Sequence, residues 1–414
     1  MTSMSPRRVV VTGIGIASPI GHTLAENTAS LRTGRSGVAV MPDWGMVAEM
    51  RTRLGAPVTG LELDGRWHRK KTRTMGRVAL LATYTAEQAL ADAGLAGDEV
   101  VTSGATGLSY GSNGGSSEAL AEFCTTLLTT MSMKGLQSTS YLKFMPHTCA
   151  ANLAQFFGIR GRVVPVTSAC TSGAQAIGAA YEAVKYGLQD VMICGGADEL
   201  HYTTAVTFDL MFATSTNFND RPHLSPRPFD AQRDGLVVGE GAATLVLEPL
   251  ERARARGARI YGEILGYGTN CDGLHITAPS EPGMRDAMVR SLRDARLGPE
   301  RVDYVNAHGT ATDIGDVAES KATFDVFARA VPISSTKSFT GHTMGACGAI
   351  EAAFSLSMLR EGFLAPTRNL GEVDPRCAAL DYVREVREAS PAIIMSNNFA
   401  FGGVNTSLLL AQVE

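Results

Sequence analysis

Four residues whose types can do chemistry stand where apolar, strand-like runs break into small or polar residues. In Arg162-Val-Val-Pro-Val-Thr-Ser-Ala-Cys170-Thr-Ser-Gly-Ala-Gln-Ala-Ile-Gly-Ala-Ala180, Cys170 sits where a strand hands over to a small-residue helix. The amide N–H groups and positive dipole end of a helix favour a thiolate, so this placement predicts a nucleophilic sulfur of lowered pKa. Two further runs end in histidine, Val302-Asp-Tyr-Val-Asn-Ala-His308-Gly-Thr and Ile333-Ser-Ser-Thr-Lys337-Ser-Phe-Thr-Gly-His342, the second with Lys337 on the way. Together they suggest a Cys, His, His site. Cysteine and histidine are also good zinc ligands. These three sit at separate strand ends, with no ligand pair at short spacing and no carboxylate among them, so no metal is expected.

The elements that must position these residues follow from alternating patterns. Strands are expected over Arg8 to Ile16, Ala105 to Gly111, Val163 to Ala169, Val191 to Gly196 and Ala243 to Leu247, and helices over Leu24 to Arg32, Arg77 to Ala93 and Thr171 to Tyr186. The alternation restarts near Ala258. Strands are then expected at Ile260 to Gly266, Val302 to Ala307, Ile333 to Ser335, Ile393 to Ser396 and Thr406 to Ala411, with helices at Glu281 to Ala295, Gly315 to Arg329 and Met344 to Glu361. Continuous apolar strands between helices imply mainly parallel sheets covered on both faces. The second half repeats the logic of the first, giving halves 1–257 and 258–414 within one compact unit. The stretch from Asn113 to Arg162 is the least regular. With 44% hydrophobic and 19% charged residues the chain can build a large core, and a net charge of −4 argues against a general nucleic-acid binder. Seven cysteines without a C-x-x-C pair read as reduced thiols in a cytoplasm. Glycine and threonine interrupt the apolar run after Arg7 and Arg8, which reads as a first buried strand and not as an export signal. No stretch is apolar enough over 18 residues to suggest a membrane span.

Six segments in one order carry a family resemblance: Val9-Val-Val-Thr-Gly-Ile-Gly, Thr167-Ser-Ala-Cys170, Arg227-Pro-Phe-Asp-Ala-Gln-Arg-Asp-Gly235, Asn306-Ala-His308-Gly-Thr-Ala-Thr312, Lys337-Ser-Phe-Thr-Gly-His342 and Asn397-Asn-Phe-Ala-Phe401-Gly-Gly-Val-Asn405. The chain resembles the elongating β-ketoacyl-[acyl-carrier-protein] synthases of the thiolase superfamily. The resemblance implies an α/β fold, a thiolase-like duplicated αβαβα layered architecture with two mainly parallel-cored five-stranded mixed sheets. It also implies decarboxylative condensation of acyl-ACP with malonyl-ACP in fatty-acid elongation. Cys170 would take the acyl group from a phosphopantetheine arm, and the backbone N–H groups of Cys170 and Phe401 would hold the oxyanion. His308 and His342 would stabilise the malonyl-derived enolate. Lys337 would pair with Glu319, and Thr310 and Thr312 would contact the arm. No cofactor bound by the enzyme is implied; the substrates travel on acyl carrier protein.

The basic run from Arg66 to Arg77 holds six cations and no acid, and by resemblance Arg69, Lys70 and Arg73 would dock the acidic carrier protein, with Lys134 in a second cluster weakened by Gln137. Gly114 falls at the family's acyl pocket, and Phe399 and Ala400 belong to its gating turn. Ala400 replaces a glycine, Asn398 a serine and Val404 a threonine of that pattern; the methyl at 400 restricts the gate if glycine-only dihedrals are needed. The implied partners are acyl carrier protein and a second copy of the chain in a homodimer, or a related chain in a heterodimer. Two alternatives stand beside the main reading. One is a ketosynthase of a type II polyketide or polyene pathway; the other is a non-catalytic chain-length-factor partner, against which Cys170 and both histidines argue.

Overall fold

The computed structural model describes residues 6–413. Its main strands, labelled here in chain order, are β1 (Val9–Ala17), β2 (Thr106–Gly111), β3 (Val163–Val166), β4 (Val191–Asp198), β5 (Gly241–Pro249), β6 (Gly262–Cys271), β7 (Tyr304–Asn306), β8 (Pro332–Ser334), β9 (Asp381–Tyr382), β10 (Ile393–Phe399) and β11 (Val404–Ala411). The principal helices are α1 (Leu24–Thr33), α2 (Arg77–Asp92), α3 (Ser117–Thr130), α4 (Thr148–Phe157), α5 (Ser172–Lys185), α6 (Glu281–Ala295), α7 (Asp313–Phe327) and α8 (Cys347–Glu361).

The strands follow one another in space as β9-β8-β7-β10-β11-β6-β1-β5-β4-β2-β3. Each half contributes the same five-stranded pattern. In the first, β3, β2 and β4 are parallel, and β5 runs antiparallel to both β4 and β1. In the second, β8, β7 and β10 are parallel, and β11 runs antiparallel to both β10 and β6. Two points differ from the sequence expectation. The two five-stranded sheets are hydrogen-bonded to each other where β1 meets β6, through Val9↔Ile264, Val10↔Glu263 and Val11↔Gly262. A short eleventh strand, β9, also extends the second sheet beyond β8; at two residues it was too short to leave a pattern.

The core explains the layering. Ile177 and Val184 of α5 and Ile350, Phe354 and Met358 of α8 are buried with Val9, Val11, Leu245, Ile394 and Leu408, so these two helices lie between the sheets. On the outer face of the first sheet pack Val78, Leu81 and Leu90 of α2 with Leu153 of α4. On that of the second pack Met284, Met288 and Leu292 of α6 with Phe327 of α7. The result is an αβαβα stack. A helix buried on all sides must be made of small residues where backbones approach. Hence a Cβ on Gly173 of α5 would lie 2.7 Å from the Gly345 carbonyl, and one on Gly348 of α8 would lie 2.7 Å from the amide of Ala174.

The stretch from Asn113 to Arg162, read as irregular, contains α3 and α4. Strand β3 stops at Val166, short of Ala169, because Ala169 turns into the left-handed region at φ 49°.

Candidate active site

The N-terminal ends of the two central helices face each other, and the chemistry collects there. On the first side Ala169, in its left-handed conformation, turns the chain sharply at the nucleophile, and Thr171 N–H closes the turn onto the Ser168 carbonyl at 3.2 Å. Cys170 is thereby held just ahead of α5 and buried. On the second side the sharp turn falls after His342, where Met344 has φ 47°. A short 3-10 turn, Met344–Ala346, then leads into α8. His342 Nε2 lies 2.9 Å from Cys170 Sγ. His308, on the loop after β7, places its ring centroid 5.2 Å from that of His342 at 88° between planes. Ligand atoms of Cys170, His308 and His342 all lie within 4.8 Å of one another.

Electrostatics reverses one expectation. Burial pushes the Cys170 thiol up to about 12, against the pull of the Lys337 charge and its own amide. The start of α5 does not outweigh desolvation, so the resting sulfur is a thiol in contact with an imidazole. Burial also holds both imidazoles well below their ordinary value, and the Lys337 charge reinforces it. Both histidines are therefore neutral around pH 7, each with one N–H to donate. Their Nδ1 atoms are buried without a hydrogen-bond partner.

Lys337 is buried, and its partner differs from the expected one. Its ammonium pairs with Glu351 of α8 and not with Glu319. Burial works against that charge, but Glu351, with smaller help from Cys347 and Glu319, holds the Lys337 pKa above its ordinary value. Asn398, a departure from the family pattern, donates to the second Glu351 oxygen at 2.7 Å. Glu319 instead clamps the corner that carries His308, accepting from the amides of His308 at 2.7 Å and Gly309 at 2.6 Å. Burial pushes its carboxyl up to about 8 in spite of these two donors. The sequence did carry a signal for Glu351. It is a lone acid in the otherwise apolar start of α8, and a buried carboxylate requires a cation.

Cys170, His308 and His342 line a cavity of about 600 Å³, together with Thr310, Thr312, Glu319, Phe399, Ala400 and Phe401. The hydroxyls of Thr310 and Thr312 are 3.0 Å apart. In the turn after β10, Ala400 N–H donates to Val404, Gly402 N–H to Ile276 at 2.7 Å, and Gly403 N–H to Ala400. The Phe401 amide makes no hydrogen bond among the described residues, which leaves it able to donate into the cavity. Gly402 and Gly403 supply the positive φ values of this turn, 92° and 73°. Ala400 is not among the positive-φ residues, so its methyl is accommodated without strain. The His308 ring and the buried Phe399 ring are 6.1 Å apart between centroids, with 73° between their planes.

Two expected groups lie apart from this cavity. Gly114 does not line it, and a Cβ there would meet nothing within 4 Å. Arg69, Lys70 and Arg73 are exposed and line a separate cleft of about 630 Å³ with Gln137 and Lys143. Lys134 is exposed but outside that cleft, whereas Lys143, missed in the sequence, lies in it. Of the other cations in the run, Arg66 and Arg77 are engaged by Glu87 and Glu240, and Lys71 lies over the Phe156 ring at 4.9 Å.

Comparison with known proteins agrees with this fold. Models of the N-terminal and C-terminal domains of beta-ketoacyl synthase match residues 6–253 and 261–371. The chain is 40% identical over 413 residues to 3-oxoacyl-[acyl-carrier-protein] synthase 1 of Escherichia coli K12, covering 99% of this chain and 100% of that one. It superposes on the crystal structure of a beta-ketoacyl synthase from Burkholderia phymatum STM815 with a TM-score of 0.96 at 52% identity, covering 99% of this chain and 100% of that chain. On the ishigamide ketosynthase/chain length factor the TM-score is 0.92 at 34% identity, with coverage of 99% and 100%. A buried cysteine and two neutral histidines, joined across the two halves of a duplicated thiolase-like fold, thus come with matching domains in both halves: the chain belongs to the β-ketoacyl synthase family.

Proposed function

We propose that this protein is a 3-oxoacyl-ACP synthase that elongates fatty acyl chains by condensing acyl-ACP with malonyl-ACP. The observation that carries the reading is the 2.9 Å contact between Cys170 Sγ and His342 Nε2, with neutral His308 beside them in one cavity. The half over 1–257 supplies the nucleophile and the half over 258–414 both histidines. In the first half-reaction Cys170 sulfur bonds to the acyl carbon, the carbon–sulfur bond to the pantetheine arm breaks, and the arm leaves as a thiol carrying the proton. The Cys170 amide and the unpartnered Phe401 amide are the donors for the oxyanion, each worth about 3–4 kcal/mol in comparable sites.

In the second half-reaction the malonyl carboxylate leaves as carbon dioxide, and its bonding electrons pass into an enolate. Neutral His308 and His342 donate N–H bonds to the enolate oxygen. The enolate carbon attacks the Cys170 thioester, the sulfur is released, and a proton from solvent restores the thiol. Lys337 does not line the cavity; its charge, fixed by Glu351, reinforces the burial that keeps both imidazoles neutral and eases the burial cost of the sulfur's negative charge. Thr310 and Thr312 receive the arm, while Arg69, Lys70, Arg73 and Lys143 receive the acidic carrier. The reaction needs no cofactor beyond the substrate-borne arm. We place it in the cytoplasm, in a homodimer; among the described residues no helix is long and apolar enough to cross a membrane.

Intact-mass measurement after incubation with a panel of acyl-ACPs tests the reading. Wild type gains one acyl mass and Cys170→Ala gains none; an adduct surviving in Cys170→Ala refutes the nucleophile. His308→Ala still acylates but stops releasing labelled carbon dioxide from malonyl-ACP, and release at the wild-type rate refutes its role.

A further inference from the structure

Asp198 ends strand β4, is buried, and does not line the cavity that holds Cys170. Its Oδ2 accepts the amide of Gly345 at 2.6 Å and that of Asn113 at 3.0 Å, while Oδ1 faces Ser112 Oγ at 3.3 Å. Gly345 lies in the 3-10 turn that follows His342, and its carbonyl is wedged at the junction of three elements. A Cβ on Gly173 of α5 would come within 2.7 Å of that oxygen and one on Gly196 of β4 within 2.5 Å. A Cβ on Gly345 itself would come within 2.5 Å of the Asn113 nitrogen and 2.8 Å of Asp198 Oδ2. Among the described residues no side-chain donor or cation meets Asp198 from the second half; the Gly345 amide is its hydrogen bond across the halves. One carboxylate oxygen therefore ties the turn after β2, the end of β4 and the segment bearing His342 into one register.

We infer that Asp198 is a positioning residue that holds the His342 segment against Cys170 through the Gly345 amide. The inference goes beyond the ketosynthase reading and rests on it only for turnover measurements. Removing the acceptor leaves the buried Gly345 amide and the part-buried Asn113 amide without it, and the turn relaxes away from Asp198. Asn at 198 keeps a carbonyl oxygen for the two amides and turns its NH2 toward Ser112 Oγ, so the geometry survives without the charge.

Alkylation of Cys170 by iodoacetamide, followed by mass spectrometry on the full-length protein, reads the Cys170–His342 contact whatever the natural substrate. Asp198→Ala is expected to slow it by about tenfold to a hundredfold, the scale for a misplacement of about an ångström. Gly345→Ala displaces the same turn from the other side and is expected to do likewise. Asp198→Asn stays within about threefold of wild type, a smaller change than ~1 kcal/mol. In turnover with acyl-ACP, Asp198→Ala lowers kcat and leaves KM unchanged, because Asp198 does not face the cavity. If Asp198→Ala does not fold, Gly345→Ala decides. Alkylation at the wild-type rate in either folded variant, a KM rising in step with the fall in kcat, or failure of Asn to restore the rate overturns the inference. If wild type forms no acyl adduct, the ketosynthase reading fails while the alkylation series still judges Asp198.

Discussion

At Lys337 a single buried cation acts on Cys170, His308 and His342 together: it opposes the rise that burial imposes on the thiol and adds to the fall that burial imposes on both imidazoles. Its carboxylate partner therefore matters more than its distance from substrate suggests. Glu351→Gln leaves a buried ammonium without its counter-charge, a loss of about 3–5 kcal/mol for breaking such pairs. The urea midpoint and kcat should both fall, whereas Glu319→Gln should act on the His308 corner and leave the Lys337 charge in place. Nitrogen NMR of the lysine ammonium separates the two, since Glu351→Gln lowers the Lys337 pKa far more than Glu319→Gln, which removes only a smaller contribution. The histidines set a pH dependence of definite sign. Their folded pKa values lie below the ordinary 6.5, so between that value and the folded ones the unfolded chain binds more protons. Their contribution to stability is present above about pH 6.5 and is lost as pH falls below it. Buried carboxyls such as Glu319 act with the opposite sign in the same range, so the histidine part is read as a difference: from pH 7 downward the urea midpoint of wild type should fall relative to that of His308→Asn. Cys170, His308 and His342 could be read together because each follows a strand-like run, whereas Lys337 was singled out through the family resemblance. The identity of the ion-pair partner was not, since only packing decides which of two acids reaches a buried amine.

Among the elements, α5 and α8 carry the geometry because their first turns meet backbone to backbone. Gly173→Ala would drive a methyl to 2.7 Å from the Gly345 carbonyl. Overpacking of this kind costs about 1–3 kcal/mol, and calorimetry should show a lowered Tm accompanied by loss of kcat, because the displaced carbonyl belongs to the turn after His342. Outside the 113–162 insert and the two-residue β9, the main strands and helices were readable from hydrophobic periodicity, and α6 begins and ends where the pattern places it, Glu281–Ala295. The ends that shifted were those governed by left-handed residues. Ala169 and Met344 cut short β3 and the start of α8, and neither residue type announces a positive φ. Helices α3 and α4 escaped because they sit in an insert whose periodicity is broken by glycine, proline and short turns.

Across the whole molecule, the catalytic cavity and the basic cleft are separate features, so delivery and chemistry can be perturbed apart. Arg69→Glu combined with Lys70→Glu should raise KM for acyl-ACP several-fold at low salt, with the difference shrinking as salt screens it. An acyl-pantetheine substrate should be unaffected. A KM for acyl-ACP equal to wild type moves docking elsewhere. Strand β3 lies at the end of the sheet with Pro165 in it and Val163 40% exposed, a short unpaired edge of the kind another strand can cover. The pairing of the two sheets through Val9, Val10 and Val11 has a different consequence. Because the halves are related by repetition yet meet at one centre, neither is a smaller version of the whole. The first half brings a sulfur to that centre and the second brings two imidazoles. Two halves of one strand pattern thus bring unlike groups to a single centre, and a change at the sulfur leaves the strands and loops that carry the imidazoles in place.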